Sequence, residues 1–202
     1  MKAPARTPRK RQTRRPKKVD AALIERIATH YLNRFDATRE RLKTVLVRRC
    51  AKLTRELEPE ARPEEQDVLR WIEELLDRYE RSSMICDARF AGNLTRSLRE
   101  RGMGRRAIEQ KLRLKGVPKA LVPDALEQVD GESEDPELEA ARRWVRRRRL
   151  GPFRPEEQRQ ERRQRDFAAL ARAGFSYSIA AQALTAQEEE ELQEQMGNHE
   201  LL

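Results

Sequence analysis

Apolar residues recur every three or four positions along most of the chain, which is the spacing that lines one face of an α-helix. After Asp20, for example, they occupy positions 23, 24, 27, 31 and 32. Gly, Pro and capping residues interrupt the pattern, and the β-branched or aromatic runs typical of strands are nearly absent. The sequence therefore predicts an all-α protein whose helices begin near Asp20, Thr38, Pro63, Asp87, Gly104, Pro118, Pro136, Pro155 and Ser176.

The chain also resembles itself. Residues 112–126 (LRLKGVPKALVPDAL) match residues 170–184 (LARAGFSYSIAAQAL) at a constant offset of 58, which pairs Gly116 with Gly174. The helices upstream of these segments, around Ala91 and Ala141, match at an offset of 50. The middle helix of the later copy is therefore longer, by about eight residues. A weaker first copy is visible as well. The matched positions are Ala91 with Ala141, Leu94 with Trp144, and Leu42 and Leu46 with Ile108 and Leu112.

We therefore predict three tandem three-helix repeats, at residues 19–83, 84–130 and 135–186, of which the first is irregular and extended. A unit this small cannot bury its apolar face alone, so neighbouring repeats must cover one another. The molecule is then expected to be elongated and curved. A single compact bundle with accidental internal similarity is the alternative. The acidic stretch 130–135 is expected to link the second and third repeats.

Charge is distributed unevenly. The chain has 44 Lys and Arg against 35 Asp and Glu, but nine of the basic residues and no acidic ones lie in residues 1–18. The remainder is balanced, so a basic surface there requires charges of opposite sign to lie on different faces. We expect a disordered basic arm at 1–18 that attracts DNA, RNA or another acidic surface, and an acidic tail at 187–202. The arm contains Lys2, Arg6, Arg9, Lys10, Arg11, Arg14, Arg15, Lys17 and Lys18.

The sequence offers no catalytic or metal-binding constellation. Cys50 and Cys86 are far apart, and His30 and His199 are isolated, so neither a zinc site nor a disulfide framework is predicted. We find no phosphate-binding glycine loop and no nucleophile with a matching base. No apolar stretch approaches the roughly 20 residues of a membrane span. The expectation is a cytoplasmic, non-enzymatic protein without a cofactor.

Residues 87–126 resemble the central repeat of the RecX family. The resemblance rests on Asp87, Phe90 and Ala91, the turn region Arg99–Gly102, the basic helix RRAIEQKL, and Lys115-Gly116-Val117, and it continues at GFSY in residues 174–177. It implies a monomeric modulator that lodges in the groove of the RecA nucleoprotein filament, next to its single- or double-stranded DNA. Such a modulator curbs strand exchange and ATP hydrolysis. The irregular first repeat departs from the family pattern.

Two basic clusters are candidates for the surface that faces RecA or DNA. On the helix that begins at Pro136, arginines form two adjacent rows, and guanidinium groups bind phosphate and carboxylate through paired hydrogen bonds. A solvated face that complements the helix dipole and pairs with Glu139 is the alternative. The candidates in the rows are Arg142, Arg143, Arg146, Arg147 and Arg149.

The second cluster surrounds the turn at Gly102–Gly104. Two glycines give this turn backbone freedom and allow a partner to approach closely, although Gly102 is equally consistent with a simple helix stop. The junction also resembles a helix-turn-helix, so general DNA or RNA binding through this repeat and the arm is the alternative function. The candidate residues are Arg99, Arg101, Arg105, Arg106, Lys111, Arg113 and Lys115.

Overall fold

The computed structural model describes residues 18–131 and 133–185, and all regular structure in these ranges is helical. The all-α prediction is therefore confirmed. The predicted basic arm and acidic tail lie outside the described residues, apart from Lys18. The helices are α1 Ala21–Leu32, α2 Arg39–Arg55, α3 Glu65–Arg81, α4 Asp87–Glu100, α5 Arg105–Leu114, α6 Val122–Asp130, α7 Pro136–Arg148, α8 Glu156–Arg172 and α9 177–185.

Local chemistry sets most helix boundaries. Asp20 accepts a hydrogen bond from the Leu23 N–H at 2.9 Å, and Asp135 accepts one from the Leu138 N–H at 3.0 Å, so each caps its helix N-terminus. Arg149 ends α7 in the left-handed conformation, with φ of 51°. Pro118 opens a short 3₁₀ turn before α6 and not the α-helix itself.

The helices form two compact units. Of the described residues, the first unit contains 18–35 and Leu42–Arg78, and the second contains Asp36–Arg41 and the residues from Tyr79 onward. In the first unit, α3 is tied to α1 by the ion pair between Arg78 and Glu25, and to α2 by the pair between Lys43 and Glu73. The division into three repeats and the elongated shape stay predictions.

Two apolar clusters occupy the second unit. One is built from α4, α5 and α6 around the fully buried Ile108 and Leu112, and the other from α7, α8 and α9 around Val145 and Leu170. These residues lie on the apolar stripes that the sequence pattern predicts. Each three-helix group therefore has its own small core, and the candidate basic residues lie on the helices that enclose these cores.

Candidate functional site

The candidate arginines of α7 form an exposed surface, which we call the α7 arginine face: Arg142, Arg143, Arg146, Arg147 and Arg149. All five side chains are exposed, and Arg143 lies 3.7 Å from the Glu139 carboxylate. No other described carboxylate forms an ion pair with this face. Its guanidinium groups therefore have donors available for a partner.

Arg148 belongs to the same run but has a different environment. Its guanidinium carbon lies 4.8 Å from the centre of the Trp144 ring, a cation–π arrangement on the surface of α7. Trp144 is half-buried and packs against the apolar cluster of α7, α8 and α9. The i to i+4 spacing of a tryptophan and an arginine was the signal in the sequence for this contact.

In the central cluster, six of the seven predicted residues are exposed: Arg101, Arg105, Arg106, Lys111, Arg113 and Lys115. Arg105 forms an ion pair with Glu109 at 3.0 Å, one turn along α5. This is a surface pair of small energetic weight, about 0.3–0.5 kcal/mol. The six residues therefore present positive charge around the Gly102–Gly104 turn and along α5.

Arg99 is the exception, and its assignment to a partner-facing surface was wrong. It is only 4% exposed. Its guanidinium donates to both carboxylate oxygens of Asp130, at 2.8 and 2.6 Å, to Glu137 at 2.6 Å, and to the Met103 carbonyl at 3.0 Å. Burial alone would lower the pKa of Arg99, but the hydrogen bonds with Asp130 and Glu137 outweigh it and raise the pKa. Arg99 is a permanently charged internal clamp.

This clamp also corrects the view of the acidic stretch 130–135 as a plain linker. Asp130 is the last residue of α6 and holds Arg99 of α4, while Glu137 in the first turn of α7 holds the same guanidinium. Glu137 further accepts a hydrogen bond from the Arg105 N–H at 2.9 Å and so caps the N-terminus of α5. Four helices therefore meet at one charged cluster.

The glycine turn is likewise enclosed by the chain itself. A Cβ atom on Gly102 would come within 2.8 Å of the Ala140 carbonyl oxygen, and one on Gly104 within 2.7 Å of the Gly174 backbone. The Gly104 N–H also donates to the Ala173 carbonyl at 2.9 Å. The close approach that the glycines were predicted to allow is therefore made by α7 and the turn before α9, and this turn is not free for an external partner.

The same joint occurs a second time in the second unit, with equivalent groups. The Asp87 carboxylate accepts from the Arg39 N–H at 2.8 Å, as Glu137 accepts from Arg105. Thr38 Oγ1 donates to the Lys115 carbonyl at 2.7 Å, as Gly104 N–H donates to Ala173. An acid at the start of one helix thus caps another helix, and a carbonyl at the glycine turn receives the neighbouring hydrogen bond. We call this arrangement the repeat joint.

Because Glu137 at the start of α7 caps the N-terminus of α5, the second repeat joint links the two helices that carry most of the candidate basic residues. The described residues contain no group of three or more His, Cys, Asp or Glu side chains arranged to hold a metal ion. In the same part of the chain, no helix has both the length and the apolar character of a membrane span. The exposed guanidinium and ammonium groups of α5 and α7 form the candidate site.

Residues 87–126 match the family model described as RecX, second three-helix domain. The chain is 42% identical over 177 residues to the regulatory protein RecX of Myxococcus xanthus, across 87% of this chain and 91% of that relative. It is 34% identical over 108 residues to the regulatory protein RecX of Agrobacterium fabrum, across 52% and 55%. A crystal structure of RecX from Lactobacillus salivarius is similar in fold, with a TM-score of 0.56 and 17% identity, covering 83% of this chain and 96% of that one.

Proposed function

The chain belongs to the RecX family of regulatory proteins, and on this premise we propose that it binds the RecA nucleoprotein filament and inhibits its ATPase and strand-exchange activities. The proposed partners are RecA and the DNA within the filament, with the protein acting as a monomer in the filament groove. Its role in recombination and repair is then regulatory and not catalytic.

The observation that carries this proposal is the α7 arginine face. It concentrates five exposed arginines on a helix held in place by a repeat joint. A filament presents two kinds of acceptor, carboxylates of the protein and phosphates of the DNA, and the guanidinium fork binds both. A rigid array also loses little conformational entropy on binding, because the backbone that carries it is already ordered.

The structure disfavours the alternative of a helix-turn-helix protein. In such proteins the N-terminal residues of the second helix contact the bases in the major groove. Here the N-terminus of α5 is occupied, since the Arg105 N–H donates to Glu137 and Gly104 packs against the Gly174 backbone. A duplex at this helix end would have only the exposed side chains of Arg105 and Arg106 as contacts, because the backbone N–H of Arg105 is already used by Glu137.

The test is inhibition of the DNA-dependent ATPase of preformed RecA filaments by the full chain. Inhibition is expected well below one copy per DNA site, and excess competitor DNA should leave it in place. The Arg142→Gln/Arg146→Gln variant should raise the half-inhibitory concentration about tenfold, because two charge-assisted contacts together are worth at least about 1.4 kcal/mol. The control is Arg96→Gln/Arg165→Gln, which removes the same charge from exposed positions outside the candidate site.

Equal inhibition by the two double variants would contradict the assignment of the arginine face. Loss of inhibition on addition of free DNA would instead show that the protein acts by coating DNA. Removal of residues 1–18 should reduce the salt dependence of DNA binding and leave inhibition measurable, because the arm contributes a sequence-independent Coulombic attraction. Complete loss of inhibition by this truncation would place the contact in the arm.

A further inference from the structure

The first unit contains a groove between α1 and α2 that the proposed function does not use. Its cavity volume is about 700 Å³. Half-buried Ile27, Tyr31 and Val45 form an apolar floor, and Phe35 lies at its edge. The remaining residues that line it are all basic or histidine: Arg26, His30, Arg34, Arg48, Arg49 and Lys52. We call this feature the α1–α2 groove.

The rim of the groove is strongly cationic. No acidic residue lines it, and no described carboxylate forms an ion pair with Arg34, Arg48, Arg49 or Lys52. Elsewhere in the same unit, Lys43 and Arg78 do form ion pairs with acidic residues. In a chain whose body has balanced charge, this segregation creates a local positive potential that attracts a polyanion.

The groove also exposes an aromatic surface. Phe35 is 56% exposed, although a phenylalanine is normally buried. Its ring lies 5.2 Å from that of Tyr31 with an interplanar angle of 40°, and its N–H donates to the Tyr31 carbonyl at 3.0 Å, so its position is defined. An exposed, fixed aromatic ring beside unpaired cations offers both a stacking surface and phosphate contacts.

We propose that the α1–α2 groove binds single-stranded nucleic acid, with phosphates on Arg34, Arg48, Arg49 and Lys52 and bases against Phe35 and Tyr31. The competing occupant is an acidic amphipathic helix, which needs an apolar floor and cations but no exposed aromatic ring. Planar bases explain the exposed ring in a way that an acidic helix does not.

The experiment measures fluorescence anisotropy of a labelled short oligothymidylate with the full chain over a range of salt concentrations. Arg48→Gln/Arg49→Gln should weaken binding about tenfold or more and reduce the slope of log K against log salt by about 1.4, since each phosphate contact on a single strand contributes about 0.7. Phe35→Ala should weaken binding about fivefold or more with an unchanged slope, because stacking is not screened. Phe35→Trp should restore or exceed the original affinity.

Arg96→Gln/Arg165→Gln is again the matched control for charge, and it should leave the affinity and slope close to those of the original chain. Thermal unfolding verifies that each variant is folded, as expected for exposed positions. Binding by the groove variants equal to that of the control would overturn the proposal. A preference for duplex over single strand would also overturn it. So would a result in which the groove substitutions weaken binding of a Glu- and Leu-rich helical peptide and leave binding of the oligothymidylate unchanged. None of these outcomes depends on RecA, so the result is separable from the test of the proposed function.

Discussion

Replacement of Arg99 by methionine keeps an unbranched, though shorter, side chain and removes the guanidinium charge that Asp130 and Glu137 share. Arg99 is 4% exposed, and both carboxylates lie within 2.6 Å of its nitrogen atoms. Loss of one partner of a buried ion pair typically costs about 3–5 kcal/mol, because the remaining charge is left without compensation. The side chains of Asp130 and Glu137 are 15% and 24% exposed, so water can reach them partly. We therefore expect the lower end, about 3 kcal/mol.

The assay is urea unfolding followed by tryptophan fluorescence. The chain has two tryptophans, so a Trp71→Phe background leaves Trp144 on α7 as the reporter of the second unit. In this background, Arg99→Met should lower the free energy of unfolding by about 3 kcal/mol, and thermal melting should fall by about 12 °C or more for a unit of roughly 100 residues. Because the cluster is buried, the loss should change little with salt.

Arg101→Met is the matched control, because Arg101 is exposed two residues away and should change stability by less than about 0.5 kcal/mol. Glu137→Gln keeps a hydrogen-bond acceptor but removes one of the two carboxylate charges, so combining it with Arg99→Met should cost less than the sum of the single changes. If Arg99→Met is as stable as Arg101→Met, or the two changes are additive, the charged cluster is not what holds α4, α6 and α7 together.

Three further predictions concern the rest of the chain. Gly174→Ala should destabilise the second unit by about 2 kcal/mol or more, since φ is +97° and a Cβ would lie 2.5 Å from a backbone nitrogen. Gly92→Ala within α4 is the control and should be neutral or stabilising by up to about 1 kcal/mol. Chemical unfolding of the two variants measures the difference. Burial raises the pKa of Asp87 above the unfolded value of 3.8, so its ionised form is disfavoured in the fold. Asp87→Asn should therefore raise the melting temperature at neutral pH, and the gain should disappear as the pH falls towards 3.8. Burial raises the pKa of Cys50 to about 11, so a thiol reagent at pH 8 should modify the half-buried Cys86 first and Cys50 only after unfolding, as peptide mass spectrometry will show.

The helices and their ends were predictable because the signals are local. Asp20 caps α1, and Gly102 and Gly116 adopt the positive φ angles, 74° and 81°, that end helices. The burial of Arg99 was not predictable in this way, since Asp130 lies 31 residues away at the start of the stretch predicted as a linker, and Glu137 lies 38 residues away in the next helix. A row of charges on a helix does not reveal which member turns inward.

One signal for the joint was nevertheless present in the repeat. Asp87 and Glu137 are separated by 50 residues, the same offset that aligns the first helices of the two later repeats, and each carboxylate caps the N-terminus of another helix. In both repeats, the acid at the start of the helix lies beside an equivalent N–H group, in addition to its favourable position at the helix dipole. The sequence analysis did not use this recurrence, and the structure identifies the N–H groups of Arg39 and Arg105 as the donors.

The two repeat joints differ at one position, and the difference bears on the proposed function. At the first joint the residue is Thr38, whose hydroxyl reaches the Lys115 carbonyl, and at the second it is Gly104, whose own N–H makes the bond. A glycine brings the two backbones closer than a threonine permits, because a Cβ on Gly104 would meet Gly174 at 2.7 Å. At the second joint the N-terminus of α5 therefore lies close against the turn before α9, and Glu137 of α7, the helix that carries the arginine face, caps the same N-terminus. Under the proposed function this arrangement would favour binding, because a helix that is already held in place loses little conformational entropy when a partner binds.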